Sequence, residues 1–268
     1  MSTDGYFMES EEEAKRLDLK TDPTVVDRHA RWAGLQPGMR VADLGCGSGK
    51  TTFCLSKIAG TKGETVGIDN SGQRIEFAKK HYSAERIDYV LADIRSDLSS
   101  LGKFDFVWIR FVMEYYGSTA HEIIKNINTI LKPGGILCLI DLDYNCLTHY
   151  GLPKRLESAI QGIKQTLEKK ADFDPYAGRK LYSYLYDMEY KDIDMTIEAL
   201  HLIFGELNEI DAFNLTKKVE VGGTLSGYPL CVYVGGYEEF FEEFKRIFTH
   251  PRRFTYTPII LCRGKKPN

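Results

Sequence analysis

Short apolar runs and helical patterns alternate from Arg40 to Asp143, which predicts an α/β domain of parallel strands joined by crossover helices. Two further observations support this. Val41-Ala42-Asp43-Leu44-Gly45-Cys46-Gly47-Ser48-Gly49-Lys50 joins a buried strand to a helix through three glycines at alternate positions, the form of a nucleotide-binding turn. The 268 residues are 43% hydrophobic, ample for a core of that class.

The elements follow in order. Ser10-Glu11-Glu12-Glu13 fits a capping box, so the acidic cluster is read as a helix start, with Ala14 and Leu17 opening its apolar face. A second helix, about 24 to 33, leads through Gly34-Leu35-Gln36-Pro37-Gly38 into the first strand. The pattern then predicts strands near 40–44, 64–69, 88–91, 104–109 and 135–142, and helices at 49–59, 72–82 and 119–131. Thr119 and Glu122 form a second capping-box pattern, and Ile123, Ile124, Ile127, Ile130 and Leu131 mark one core-facing side.

Beyond Tyr144 the alternation stops. Helical patterns near 152–170, within 206–219 and near 237–248 precede Phe254 to Cys262, which alternates as a strand. Residues 144 to 256 hold 19 of the 32 aromatic residues. An aromatic-rich cap over the carboxyl ends of the strands is where a substrate pocket would form.

Spacing separates the nucleotide-binding motifs that compete for the turn. The dinucleotide fingerprint G-x-G-x-x-G needs a glycine where Lys50 stands. Gly49-Lys50-Thr51 reads as the end of a P-loop, but that motif's first glycine falls on Leu44. Asp43, closing the strand, would repel a triphosphate yet accept hydrogen bonds from an ammonium, so the expected ligand is partly cationic.

Asp43 to Gly49 resembles the D-x-G-x-G-x-G signature of class I S-adenosylmethionine-dependent methyltransferases. Four later segments resemble that family in the same order: Glu64 to Asp69 leading into Asn70-Ser71, Tyr89-Val90-Leu91-Ala92-Asp93-Ile94, Phe104 to Arg110, and Leu131-Lys132-Pro133-Gly134-Gly135 running into Ile136 to Asp141. The likeness spans roughly residues 35 to 143. It implies a seven-stranded Rossmann-like sheet with helices on both faces, a mostly helical C-terminal insertion, a sixth strand at Asp192 to Leu202, and a final antiparallel strand. The organisation expected is one domain: N-terminal helices over 1–36, cofactor-binding core over 37–143, cap with the sixth strand over 144–253, and last strand over 254–263.

The resemblance implies S-adenosylmethionine as cofactor and assigns roles to its neighbours. Asp43 orients the amino-acid end, Gly45, Gly47 and Gly49 let the ligand approach the backbone, and Asp69, 24 residues after Gly45, binds the ribose hydroxyls. Asn70 and Arg74 are placed beside the adenosine, where the family commonly carries apolar residues. Asp93 accepts from the adenine amino group and Ile94 packs on its ring. Arg110 lies under the methyl donor, and Tyr6 resembles residues that fold over the cofactor.

Methyl transfer from a sulfonium is a direct displacement in which positioning and desolvation dominate, and a base is needed only for a nucleophile that keeps its proton. The catalytic group is therefore unknown. Glu114, Tyr115, Tyr116, Asp141, Asp143 and Tyr144 are candidates because all lie at or after strand ends.

A net charge of −3 and the lack of a basic run argue against nucleic acid as partner, and the N-P-P-Y and Pro-Cys contexts of base methylation are absent. Six scattered cysteines without C-x-x-C spacing, no apolar run of bilayer length and a polar start predict a cytoplasmic protein without a membrane anchor. The histidines show no metal-ligand spacing, and His149 starts the insertion. The expected activity is methyl transfer to a small, partly apolar molecule at O, N or C. The alternatives are a cofactor-sensing regulatory protein without catalysis and an enzyme acting on a protein or RNA.

Overall fold

The computed structural model describes residue 18 and residues 21–144 and 148–268. The helix expected from Ser10 and the thiol of Cys146 lie outside the described residues. Helix α1 (Pro23–Ala33) starts where Asp22 accepts from the Thr24 N–H at 2.8 Å and ends at a left-handed Gly34. The core then alternates β1 (Arg40–Leu44), α2 (Lys50–Ala59), β2 (Glu64–Asp69), α3 (Gly72–Tyr82), β3 (Ile87–Leu91), β4 (Phe104–Arg110), α4 (Ala120–Ile130) and β5 (Leu131–Leu142).

All five core strands are parallel, in the order β3-β2-β1-β4-β5. On one face Val41, Phe106, Trp108 and Cys138 meet α1 and α2; on the other Leu44, Ile109 and Leu139 meet α4. Alternate residues of the same strands feed the two layers, as the two-residue strand period requires.

The seven expected strands are present, and an eighth is added. After β5 come β6 (Thr148–Tyr150), α5 (Lys154–Ala171), α6 (Leu181–Asp187), β7 (Lys191–Phe204), α7 (Glu209–Ser226), α8 (Gly236–Phe248) and β8 (Phe254–Lys265). β8 runs antiparallel between β5 and β7. The short β6 pairs with residues 254–256 of β8, resuming the edge that β5 leaves at Leu142 opposite Ile259. Pro258 explains the break: its carbonyl accepts from the Asp143 N–H at 3.1 Å, but its nitrogen has no hydrogen to return.

Three local expectations need revision. Thr119 caps α4 without a side-chain bond, because its backbone is already helical (φ −108°, ψ 0°), and Glu122 bonds Lys125 at 2.9 Å instead of closing a capping box. The helix expected within 206–219 continues through Gly222 and Gly223 to Ser226, where Tyr237 of α8 packs on Gly223. Helix α6 had no expected counterpart; it is held by Leu181 and Leu185 against the sheet, one turn apart.

The cap has a buried cluster of its own, made by Leu156, Ala159, Ile163, Leu215, Phe240 and Phe244 with their neighbours. His149 fastens β6 to it. The imidazole lies edge-on to Phe244 and Phe248 at 6.0 and 6.1 Å, and Nδ1 bonds the Thr255 hydroxyl at 2.6 Å. This places it in the cap packing. Burial, then the Arg253 charge, pushes its pKa from 6.5 down to about 4. The native state therefore stays neutral while the unfolded chain takes up a proton below 6.5. Stability is complete above that value and falls by about 3 kcal/mol as the pH drops towards 4. Urea midpoints between pH 7 and 4 should show this loss, and His149→Gln should flatten that part of the profile.

Candidate functional site

The turn after β1 is shaped by its neighbours. The N–H groups of Gly45 and Cys46 both donate to the Ile68 carbonyl of β2, at 2.7 and 3.0 Å. Gly49 sits at the N-cap of α2 with φ +85°, and a Cβ there would come 2.6 Å from the Ala78 side chain and 2.8 Å from the Tyr89 hydroxyl. That hydroxyl donates to the Gly49 carbonyl at 3.2 Å, so β3 and α3 form the floor under the turn. The amides at the start of α2 thereby open towards the strand ends.

Two carboxylates flank the turn. Asp43 is buried, accepts from the Thr52 hydroxyl at 2.7 Å, and has its pKa raised to about 7, chiefly by burial. Thr52, which sequence reasoning missed, stands nine residues on, in the first turn of α2. Asp69 accepts from the N–H groups of Gly47 and Ser71, each at 2.9 Å, and so ties the end of β2 to the glycine turn.

The expected adenosine contacts are arranged differently. Arg74 reaches Asp69 at 3.0 Å and the Asn70 side-chain carbonyl at 3.1 Å, which orients the Asp69 carboxylate. Asp93 is bound by the Arg95 fork, whose hydrogen bonds are the main cause of its lowered pKa, while Ile94 is buried beside it. Arg110 shares the sheet face of Asp43, with its guanidinium 4.3 Å from the Phe111 ring centroid. Burial lowers its pKa to about 10, against the attraction of Asp43, and its Nε has no hydrogen-bond partner among the described residues. Tyr6 lies outside the described residues.

At the ends of β4 and β5, Asp141 is fully buried and accepts from the N–H of Glu114 at 3.2 Å and of Leu142 at 2.8 Å. Burial, followed by the charge of Glu114, holds its pKa well above the usual range. Its oxygens thus fix the turn over Met113–Tyr115 at the end of β4. Tyr115 stacks at an angle on Phe173 at 6.0 Å, and the Arg95 guanidinium stands 5.7 Å from the Tyr116 ring. Asp143 is held by the Arg179 fork at 2.7 and 3.0 Å. Tyr144, in the left-handed region at φ +61°, receives a hydrogen bond from Gln161. Among the described residues no cluster of three or more His, Cys, Asp and Glu could hold a metal ion, and no helix is long and apolar enough to cross a membrane.

The family model described as a methyltransferase domain matches residues 35–199. The chain belongs to this methyltransferase-domain family. Demethylmenaquinone methyltransferase of Staphylococcus aureus is 32% identical over 139 residues, 47% of this chain and 56% of that protein. The chain thus spans about half the length of the curated relatives it matches. Among solved structures, a Bacillus halodurans protein assigned as a methyltransferase is 14% identical, with 91% of this chain and 100% of that one covered, at a TM-score of 0.57. Phosphoethanolamine N-methyltransferase 2 of Haemonchus contortus, solved with S-adenosyl-L-methionine, is 15% identical over 91% of this chain and 53% of that one, at 0.54. At these identities the two structures establish the methyltransferase fold.

The turn's dependence on Gly49 is testable. Gly49→Ala combines a left-handed backbone with two contacts under 3 Å and should cost about 2–4 kcal/mol. Gly38→Ala, equally left-handed but facing open space, should cost about 1 kcal/mol. Denaturant unfolding of the two variants separates overlap from backbone strain.

Proposed function

We propose that the chain transfers a methyl group from S-adenosylmethionine to a small, partly apolar acceptor at oxygen, nitrogen or carbon. The observation that supports this best is the pair Asp43 and Asp69 at adjacent strand ends, on either side of a glycine turn that Asp69 itself anchors. The residues fit the cofactor. Asp43, raised to about 7 by burial against the pull of the nearby Arg110 guanidinium, takes its side-chain hydrogen bond from a neutral hydroxyl and keeps lone pairs that an ammonium would fill. Asp69 spends its oxygens on two amides and Arg74 but retains lone-pair capacity for a hydroxyl.

When bound, S-adenosylmethionine supplies an electrophilic methyl group on a positively charged sulfur. The protein's share is to hold the two reactants in line and keep water out. Asp43 and Asp69 hold the donor's amino-acid end and its ribose, and the Asp141-anchored turn over 113–115 sets one wall of the acceptor side. The names of the Staphylococcus relatives specify a small acceptor, and the aromatic cap favours one here over a protein or RNA.

Calorimetric titration with S-adenosylmethionine and S-adenosylhomocysteine, with ATP and Mg²⁺ as control, tests the donor. Both should bind at about micromolar affinity, and ATP should not; the reverse would overturn the reading. Asp69→Ala should weaken both by about tenfold or more, and unchanged affinity would remove Asp69 from the site.

The Asp43 carboxyl supplies a further check. Its cation-binding form is the anion, so protons compete with the ligand below its pKa of about 7. Affinity for S-adenosylhomocysteine should fall as the pH is lowered from 7 to 5, approaching about tenfold per unit. Asp43→Asn should bind more weakly and lose that slope.

A further inference from the structure

Lys164 of α5 is a buried ammonium, 6% exposed, that the methyl-donor reading leaves unused. Its Nζ donates to the Tyr176 hydroxyl at 2.7 Å and stands 4.8 Å from the ring centroids of both Tyr144 and Tyr176. The two rings are 5.5 Å apart, and Gln161, one turn earlier on α5, donates to the Tyr144 hydroxyl. Neighbouring cations are compensated: Arg179 forks onto Asp143 at 2.7 and 3.0 Å, and Lys180 pairs with Asp174 at 2.5 Å. Among the described residues no carboxylate lies within ion-pairing distance of Lys164.

The hydrogen-bond inventory of this cluster is one-sided. The ammonium carries three N–H donors and uses one. Each phenol oxygen receives a bond and keeps its own O–H hydrogen to give. Burial disfavours the ammonium, but the Tyr176 hydrogen bond, with Tyr144 and Glu168 nearby, more than offsets this and its pKa lies above the ordinary value. A buried, charged group ringed by donors and aromatic faces lacks an anion.

The cluster lies over the carboxyl ends of β4 and β5. Tyr144 stands two residues past the end of β5, in the left-handed backbone region at φ +61°. Tyr176 lies between Asp174, whose N–H donates to the Glu114 carbonyl at 2.7 Å, and Gly178, packed so closely that a Cβ would come 2.9 Å from the Asp141 and Leu142 carbonyls.

We propose that Lys164, Tyr144 and Tyr176 form an anion-binding subsite that receives a carboxylate or phosphate group of the methyl acceptor. Only the identification of the ligand as the acceptor rests on the function proposed above. The ammonium supplies the charge, the two phenols supply directed donors, and the acceptor's remaining body projects towards the strand ends.

The test uses the full chain saturated with S-adenosylhomocysteine, titrated with benzoate, phenyl phosphate and benzamide, a neutral isostere of benzoate. At least one anion should bind at a single site about tenfold or more tighter than benzamide. Lys164→Met should remove about tenfold or more of that affinity, with binding of S-adenosylhomocysteine unchanged. The paired variant Tyr144→Phe/Tyr176→Phe keeps the ring packing and decides the matter if Lys164→Met does not fold; it should also weaken the anion. Failure of both anions to exceed benzamide, or wild-type anion affinity in either variant, overturns the subsite. Failure of S-adenosylhomocysteine to bind the wild-type chain overturns the donor reading instead, and the same anion titration without it still reads Lys164.

Discussion

The shared register of β1 with β2 on one side and β4 on the other is the constraint from which the site follows. Leu44 lies opposite both Ile68 and Ile109, so three strands end at one level. The chain runs outward from β1 to β2 and β3, then crosses back to β4. Crossovers therefore leave in opposite directions on the two sides of β1, which opens a crevice at the carboxyl ends of the strands. Because β2 ends beside the turn, its Ile68 carbonyl and Asp69 carboxylate take three consecutive turn amides, those of Gly45, Cys46 and Gly47. The glycines permit the turn's shape, and β2 selects it.

Electrostatics divides this edge into two halves. Around β1 and β2 stand buried carboxylates, of which Asp43 holds its proton up to about 7, chiefly through burial and against the pull of Arg110. Beyond β5 stands a buried ammonium with aromatic faces and hydroxyls around it. Buried charges are costly when unpaired, and the side-chain hydrogen bonds of Asp43 in one half and Lys164 in the other both join a neutral hydroxyl. A ligand pair with a cationic group on one reactant and an anionic group on the other would neutralise both. The distribution also argues against phosphate near the glycine turn, where Leu44 replaces the glycine a P-loop needs and Asp43 would repel it.

Much of this was legible in the sequence, where the signal was local. β2 and α3 have the bounds their patterns predict, since apolar runs and the Ser71 cap define them without reference to the rest of the chain. That Asp43, the glycines and Asp69 meet was legible because the ordered motifs of the family resemblance put them at the ends of adjacent strands. Arg74 illustrates the limit: its place in the first turn of α3 was readable, but its grip on Asp69 depends on how α3 leaves β2. The capping box at Thr119 was read from residue types alone, whereas the cap also needs an extended backbone that the preceding loop does not give. Lys164 was invisible as a site residue because its partners come from the end of β5 and a loop after α5, and nothing in the sequence brings those three together.

Helix α5 shows why such a residue need not be part of the family's core pattern. Leu156, Ala159 and Ile163, spaced by three and four, face the cap's apolar cluster and fix the helix there. Gln161 and Lys164, spaced by three, form a second stripe that meets Tyr144 and Tyr176. One stripe fixes the helix on the cap, and the other meets the two phenols beyond β5. A change on the second stripe alters what the strand ends present without loosening the helix, while the glycine turn and its two carboxylates, held by β1 and β2, are left untouched. The two halves of this edge can therefore vary separately, as expected where sites are grafted onto a common fold.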